Sequence, residues 1–166
     1  MQGRGYIGID PGKSGGLALI VGTLVDYKEM PSSDMDLLDI LYDFDQKAVG
    51  CHCFLERVRT MPGEGSKGAF TFGEGFGKLQ MALTARQIPY ELVQPRSWQK
   101  SLNIPPKKIR IESKPQFKDR LRQKAQELFP TIGLWNASLT RQRAICDALL
   151  IAESCRRARE YSNATV

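Results

Sequence analysis

The sequence predicts a single α/β domain spanning residues 1–166: a mixed five-stranded sheet, three antiparallel strands followed by two parallel ones, flanked by helices. Three observations lead there. The 166 residues are about one domain's worth of chain and can bury roughly 70% of their unfolded surface around one core. The first aliphatic runs are joined by turns too brief for anything but antiparallel neighbours, whereas the later runs are separated by helical periodicity. Hydrophobic residues at 42% and charged residues at 25% are ordinary globular values, which exclude wholesale disorder and fibrous repeats.

Taken in order, Tyr6 to Ile9, Gly16 to Val21 and Leu24 to Lys28 read as three short strands, linked by the turn PGKSGG and by Gly22-Thr23. Ser33 followed by Asp36 is a capping pair that opens an amphipathic helix to about Asp45, with Met35, Leu38, Leu41 and Tyr42 on its apolar side. The aspartates of that helix would repel phosphate, which places it away from any nucleic acid. Cys51 to Glu56 reads as a buried strand, followed by a glycine-rich loop and a helix from about Gly73 to Arg86. Tyr90 to Val93 is a fifth strand, reached through that helix and therefore parallel to the fourth. A short helix from Arg96 to Leu102, a loop with Pro105-Pro106, a helix from Pro115 to Phe129 stopped by Pro130, and a last helix from Thr140 to Tyr161 complete the chain.

Charge narrows the partners. The chain carries +6 overall, yet Arg96 to Lys124 alone holds ten lysines and arginines against Glu112 and Asp119, so the remainder is net acidic. Such a local excess favours a polyanion, because each phosphate neutralised releases counterions; the competing reading is a solvated basic helix. Gly15 to Gly22, the longest apolar run, is far short of a membrane span, and the opening MQGRGYIGID has no apolar signal core. The expectation is a soluble cytoplasmic protein with no membrane partner. Four cysteines without metal-ligand spacing point to reduced thiols.

Several glycine patterns fail on context. Gly12-Lys13-Ser14-Gly15-Gly16 matches G-x-S-x-G, but a nucleophile elbow needs a helix after the serine and here GLALIV continues as a strand. The same segment lacks the first glycine of a phosphate loop, since Ile7 holds its place. Gly63 to Gly68 matches G-x-G-x-x-G without a helix opening directly on it. His52 lies between Cys51 and Cys53 on a strand, where neighbours point to opposite faces, so the three do not share an ion; a packed core histidine is expected.

The acidic residues carry more. Asp10 ends the first strand at a turn and Glu56 ends the fourth after an apolar run; for Asp10 alone, turn-capping competes with chemistry. Asp147 sits between Ile145-Cys146 and Ala148-Leu149-Leu150-Ile151-Ala152, where an unpaired carboxylate is costly and a cation is required. If the three converge, their repulsion raises their pKa values unless divalent metal offsets it, and oxygen-only ligands select Mg²⁺ or Mn²⁺.

The segments Tyr6-Ile-Gly-Ile-Asp10-Pro-Gly12, Phe54-Leu-Glu56-Arg-Val58 and Cys146-Asp147-Ala-Leu-Leu-Ile-Ala152, with Gly77-Lys78-Leu79 and Pro95-Arg96-Ser97-Trp98 between them, resemble the RuvC-type Holliday junction resolvases, especially those of bacteriophages. These belong to the ribonuclease H-like nucleases. The resemblance runs from Tyr6 to about Ala158. It implies a ribonuclease H-like fold, with Asp10, Glu56 and Asp147 as ligands of two Mg²⁺ or Mn²⁺ ions. It also implies a homodimer making paired nicks in four-way and other branched DNA, in the host cytoplasm if phage-encoded. Lys118 corresponds to a lysine that stabilises the phosphorane charge, plain phosphate positioning being the competing role. Arg59, Lys100, Lys107, Lys108, Lys114, Lys118, Arg122 and Arg143 are the expected DNA contacts. The chain departs from the pattern twice. Relatives carry a further acid three or four residues before the last aspartate, where this chain has Ala144 and Arg143. They also place an aromatic three residues after the strand glutamate, where this chain has Arg59; Met61, Phe70 or Phe72 is the candidate wedge instead. A nuclease of the same fold that processes structured RNA, and a junction-binding protein impaired in cleavage, are the alternatives. A sugar-kinase or actin-like ATPase shares the Asp-x-Gly opening but needs two such domains.

Overall fold

The structure, a computed structural model, describes residues 3–57 and 65–164. Five strands form one sheet: β1 (Gly5–Asp10), β2 (Gly16–Val21), β3 (Leu24–Glu29), β4 (Cys51–Glu56) and β5 (Tyr90–Val93), in the order β3-β2-β1-β4-β5. β1 pairs antiparallel with β2 and β2 with β3, while β1–β4 and β4–β5 are parallel. This is the mixed sheet expected from the connections. Helices α1 (Asp34–Gln46) and α2 (Ser66–Ala85) join the strands around β4, and α3 (Pro95–Ser101), α4 (Lys114–Leu128) and α5 (Leu139–Ala164) follow β5. A 3₁₀ turn over Gly133–Asn136 precedes α5. Among the described residues no helix is long and apolar enough to cross a membrane.

Alternation along the central strands divides the interior into two layers. Ile7, Ile9, Leu17 and Leu19 face α1 and α2 through Leu41, Phe44, Leu79 and Leu83. Tyr6, Ala18, Ile20 and Phe54 face the other way, onto Trp98, Leu121 and the apolar run of α5 from Ile145 to Cys155. Covered on both faces, β1 and β2 are buried almost throughout. The second layer has one point of backbone-to-backbone approach. A Cβ added at Gly8 would stand 2.2 Å from Ala148 O and 2.2 Å from Ala152 N, so α5 rests directly on β1 there.

Some sequence expectations are corrected. α2 begins at Ser66, not near Gly73. Glycines at 68, 73, 75 and 77 each disfavour helix by about 1 kcal/mol, yet the helix runs through them; Phe72 and Phe76, one turn apart, stack with centroids 6.3 Å apart and offset a small part of that cost. The buried face of α1 is Leu37, Leu41 and Phe44, whereas Met35 and Tyr42 are exposed. Its cap is as expected: Ser33 Oγ accepts from Asp36 N. His52 is half-buried instead of packed in the core, with Nε2 3.0 Å from Glu91 Oε1 and 2.7 Å from Arg159 Nη2. β5 pairs with β4 only from Cys53 onward, which leaves His52 at the margin of the sheet. All four cysteines are free and buried.

Candidate active site

Topology brings two carboxylates together before any side chain is considered. β1 and β4 are parallel neighbours in register, with Ile9 opposite Leu55, so the next residues along, Asp10 and Glu56, leave the sheet side by side at the same end. The turn after Asp10 folds back closely: a Cβ at Gly15 would lie 2.0 Å from Asp10 O, so only glycine fits there. The third carboxylate comes from α5. Because that helix touches β1 at Ala148 and Ala152, Asp147 lies on its sheet-facing side beside the same strand. Glu56 and Asp147 are both buried.

The electrostatics show that these groups feel one another. Burial, then the negative charges of Asp147 and Glu56, pushes the Asp10 carboxyl well above its ordinary value. Burial and Asp147 raise Glu56, against the hydrogen bond it accepts from Trp98. Burial raises Asp147 despite its ion pair with Lys118. The Lys118 ammonium, on α4, donates to Asp147 Oδ2, and despite its own burial it is raised by Asp147, Asp10 and Glu56. One lysine thus faces three carboxylates. Asp147 Oδ1 remains buried without a hydrogen-bond partner. Among the described residues no three His, Cys, Asp or Glu side chains stand as a finished metal cage. The donor set nevertheless suits a hard divalent cation: oxygen atoms only, excess negative charge, and a buried oxygen with no partner.

Trp98 is a site residue that sequence reasoning did not single out. Its Nε1 donates to Glu56 Oε1 at 2.8 Å from a fully buried ring. The signal was the Pro95-Arg96-Ser97-Trp98 segment, in which Pro95 starts α3 and the tryptophan falls one turn in, facing the end of β4. Trp98→Phe keeps an aromatic side chain but removes the donor and part of the buried indole volume, leaving a buried acceptor unpaired. We expect a loss of about 1 to 3 kcal/mol in chemical denaturation; unchanged stability would show that the bond contributes nothing.

The same fold is found in known structures. Thermus thermophilus RuvC matches with a TM-score of 0.59 at 15% identity, over 95% of this chain and 96% of that one. T. thermophilus RuvC in complex with Holliday junction substrate matches with a TM-score of 0.58 at 16% identity, over the same 95% and 96%. The chain has a RuvC-like fold. No protein-family model matches it, and no curated protein matches it. The mixed sheet flanked by helices is the ribonuclease H-like arrangement of its RuvC neighbours.

On this RuvC-like frame the expected DNA contacts fall into two groups. Lys100, Lys107, Lys108 and Lys114 are exposed, around the segment between α3 and α4. Arg122 and Arg143 are engaged within the chain instead: Arg122 Nη1 donates to Gln142 Oε1 at 3.2 Å, and Arg143 Nη2 to Asp119 Oδ1 at 2.7 Å. Of the wedge candidates, Phe70 is 74% exposed and Phe72 is half-buried against Phe76. Arg59 and Met61 lie outside the described residues.

The basic segment is tied to α4 by one arginine. Arg120 Nε and Nη2 donate to the two oxygens of Glu112 at 2.6 and 2.9 Å. Its other hydrogen bonds are to Pro105 O and Pro106 O, at 3.1 and 3.2 Å, and its guanidinium lies over the Phe117 ring, 5.0 Å from the centroid. The guanidinium holds the Glu112 carboxyl down at about 2, from an ordinary 4.5. A carboxyl depressed by folding stabilises above its unfolded value, and the contribution disappears as pH falls through the folded one. We therefore expect the Glu112 carboxyl resonance to titrate with a midpoint of about 2, returning toward 4.5 in Arg120→Ala. A wild-type midpoint near 4.5 would mean that the clamp does not form.

Proposed function

We propose that this chain is a metal-dependent endonuclease that hydrolyses phosphodiester bonds in four-way and other branched DNA, making paired nicks as a homodimer. The observation that carries the reading is the meeting of Asp10, Glu56 and Asp147 at one end of a RuvC-like sheet, with the Lys118 ammonium on Asp147. Asp10, Glu56 and Asp147 would hold Mg²⁺ or Mn²⁺, two ions by the family pattern, which when bound activate water and stabilise the leaving oxygen. Trp98 fixes the Glu56 carboxylate by its hydrogen bond. Lys118 is the positive group facing the charge that develops on the phosphate. The exposed lysines of the α3–α4 segment hold the flanking phosphates. A solved RuvC bound to a Holliday junction substrate supports branched DNA as the partner.

The dimer is supported by α2. Phe70, Gly73, Gly77 and Met81 follow one another at spacings of three and four along one exposed face. A second copy packed on that face would give a two-fold pair of sites suited to opposed strands. Ala144, half-buried one turn before Asp147, stands where a fourth acid would reach the carboxylates. Ala144→Asp is expected to retain or raise Mg²⁺-dependent nicking, and its abolition in a folded protein would remove position 144 from the metal site.

The test compares a synthetic four-way junction, the matching linear duplex and a folded RNA as substrates with Mg²⁺, Mn²⁺ or EDTA, scored strand by strand. Symmetric metal-dependent nicks in the junction are expected, with the duplex left whole. Preferential cleavage of the RNA would overturn the DNA assignment, and tight junction binding without any nick would reduce the chain to a binding protein.

A further inference from the structure

The segment between α3 and α4 ends in a closed tip whose lysines can hold phosphates but whose two apolar side chains have no role in phosphate binding. Glu112 N donates to Lys108 O at 3.0 Å, and Lys108 N donates to Glu112 Oε2 at 3.0 Å. At the apex Arg110 has a φ of 71°, in the left-handed region that side chains rarely adopt. Arg120 pins the base of the tip at Pro105, Pro106 and Glu112. Backbone strain held in place from several sides is characteristic of functional segments.

The strained turn carries Ile109 and Ile111 at 82% and 78% exposure. Single exposed apolar residues are commonplace. Here two β-branched side chains flank one strained residue and are interleaved with Lys107, Lys108 and Arg110. Ile109 also lines a groove of about 650 Å³ with Ile104, Pro105, Arg96, Lys100 and Lys107. An apolar surface with a cationic rim complements a polyanion whose apolar faces are uncovered. Stacked duplex offers phosphates but hides its base faces, whereas a branch point bares them. An anionic membrane shares the charge, but the location favours nucleic acid. Lys114 opens α4 at the foot of the tip, and Lys118, four residues or about 6 Å along the axis, bonds Asp147.

We propose that Ile109 and Ile111 pack against unstacked bases beside the cleaved strand, with Lys107, Lys108 and Arg110 on the adjoining phosphates. The inference rests on the branched-DNA reading and adds an apolar contact to bases. It assigns the wedge to a segment other than the one around Met61, Phe70 and Phe72.

The test uses the full chain in EDTA and the double variant Ile109→Ser/Ile111→Ser. The probes are a four-way junction with 2-aminopurine beside the branch, a linear duplex of the same sequence, and phosphatidylserine–phosphatidylcholine vesicles. The double variant is expected to bind the junction about tenfold more weakly and to lose the 2-aminopurine brightening, with duplex affinity and the slope of log K against log salt unchanged. Ile109→Leu/Ile111→Leu should restore both signals, which separates apolar contact from loss of fold. Lys107→Ala/Lys108→Ala should instead lower the salt slope by about two. A double serine variant with wild-type junction affinity and brightening overturns the proposal. Vesicle binding that only the serine variant loses, with junction binding intact, makes the tip a membrane contact and overturns it too. Wild-type protein that binds junction no better than duplex sinks the branched-DNA reading and the proposal together. A junction preference that the serine variant keeps at its full wild-type size sinks the proposal alone.

Discussion

Asp10→Asn is expected to lower metal-dependent cleavage by at least about a thousandfold while leaving junction binding nearly intact. The size follows from the several kcal/mol that a bound cation contributes to transition-state charge, at a factor of ten for each 1.36 kcal/mol. Asparagine preserves the shape but removes a charge that holds the ions. The same change should make the metal-free protein more stable. Among the described residues Lys118 is the ammonium bonded within the trio of carboxylates, and Asp10 is pushed well above its ordinary value by burial and then by the negative charges of Asp147 and Glu56. Removing that repulsion is worth about 1 kcal/mol, or a rise of about 2 to 4 °C in Tm for a domain of this size, measured in EDTA. Higher stability with lost cleavage is a combination that a turn-capping role for Asp10 does not produce. Wild-type nicking by the variant would show that Asp10 is a turn residue.

Gly8→Ala is expected to have the largest effect on folding. The added methyl would meet Ala148 O and Ala152 N at 2.2 Å, and both belong to helix backbone that cannot rotate away. Overpacking costs about 1 to 3 kcal/mol where side chains can yield and more where they cannot. We expect at least about 3 kcal/mol, a fall of about 6 to 12 °C in Tm. Since α5 carries Asp147, cleavage should fall with it. Gly75→Ala is the matched control, because nothing lies within 4 Å of its added Cβ; there the helix gains up to about 1 kcal/mol. Equal melting of the two variants would contradict the contact between β1 and α5.

The sheet was legible because its strands are aliphatic runs bounded by Gly, Pro and Asp, and because connector length separates antiparallel from parallel neighbours. Helix faces were harder to read. In DMDLLDILYDFD apolar residues fall at several phases, and only contact with β1 and β2 selects Leu37, Leu41 and Phe44 over Met35 and Tyr42. The start of α2 was hidden by its glycines, whose cost the Phe72–Phe76 pair offsets only in small part. At the site, carboxylates at two strand ends and one inside an apolar run could be picked out one at a time. Their partners could not, because Trp98 lies 42 residues from Glu56 and Lys118 lies 29 from Asp147. Nor does residue type show that Arg122 and Arg143 are spent on Gln142 and Asp119 while Lys107 and Lys108 are exposed at the surface.

The central claim is that Asp10, Glu56 and Asp147 form one site for divalent metal. Diffraction at the manganese absorption edge, from crystals grown with MnCl₂, tests it most directly. An anomalous peak among the three carboxylates, absent from crystals of Asp10→Asn, is the predicted result. No peak there at millimolar Mn²⁺, with the Lys118 ammonium still bonded to Asp147, would contradict it.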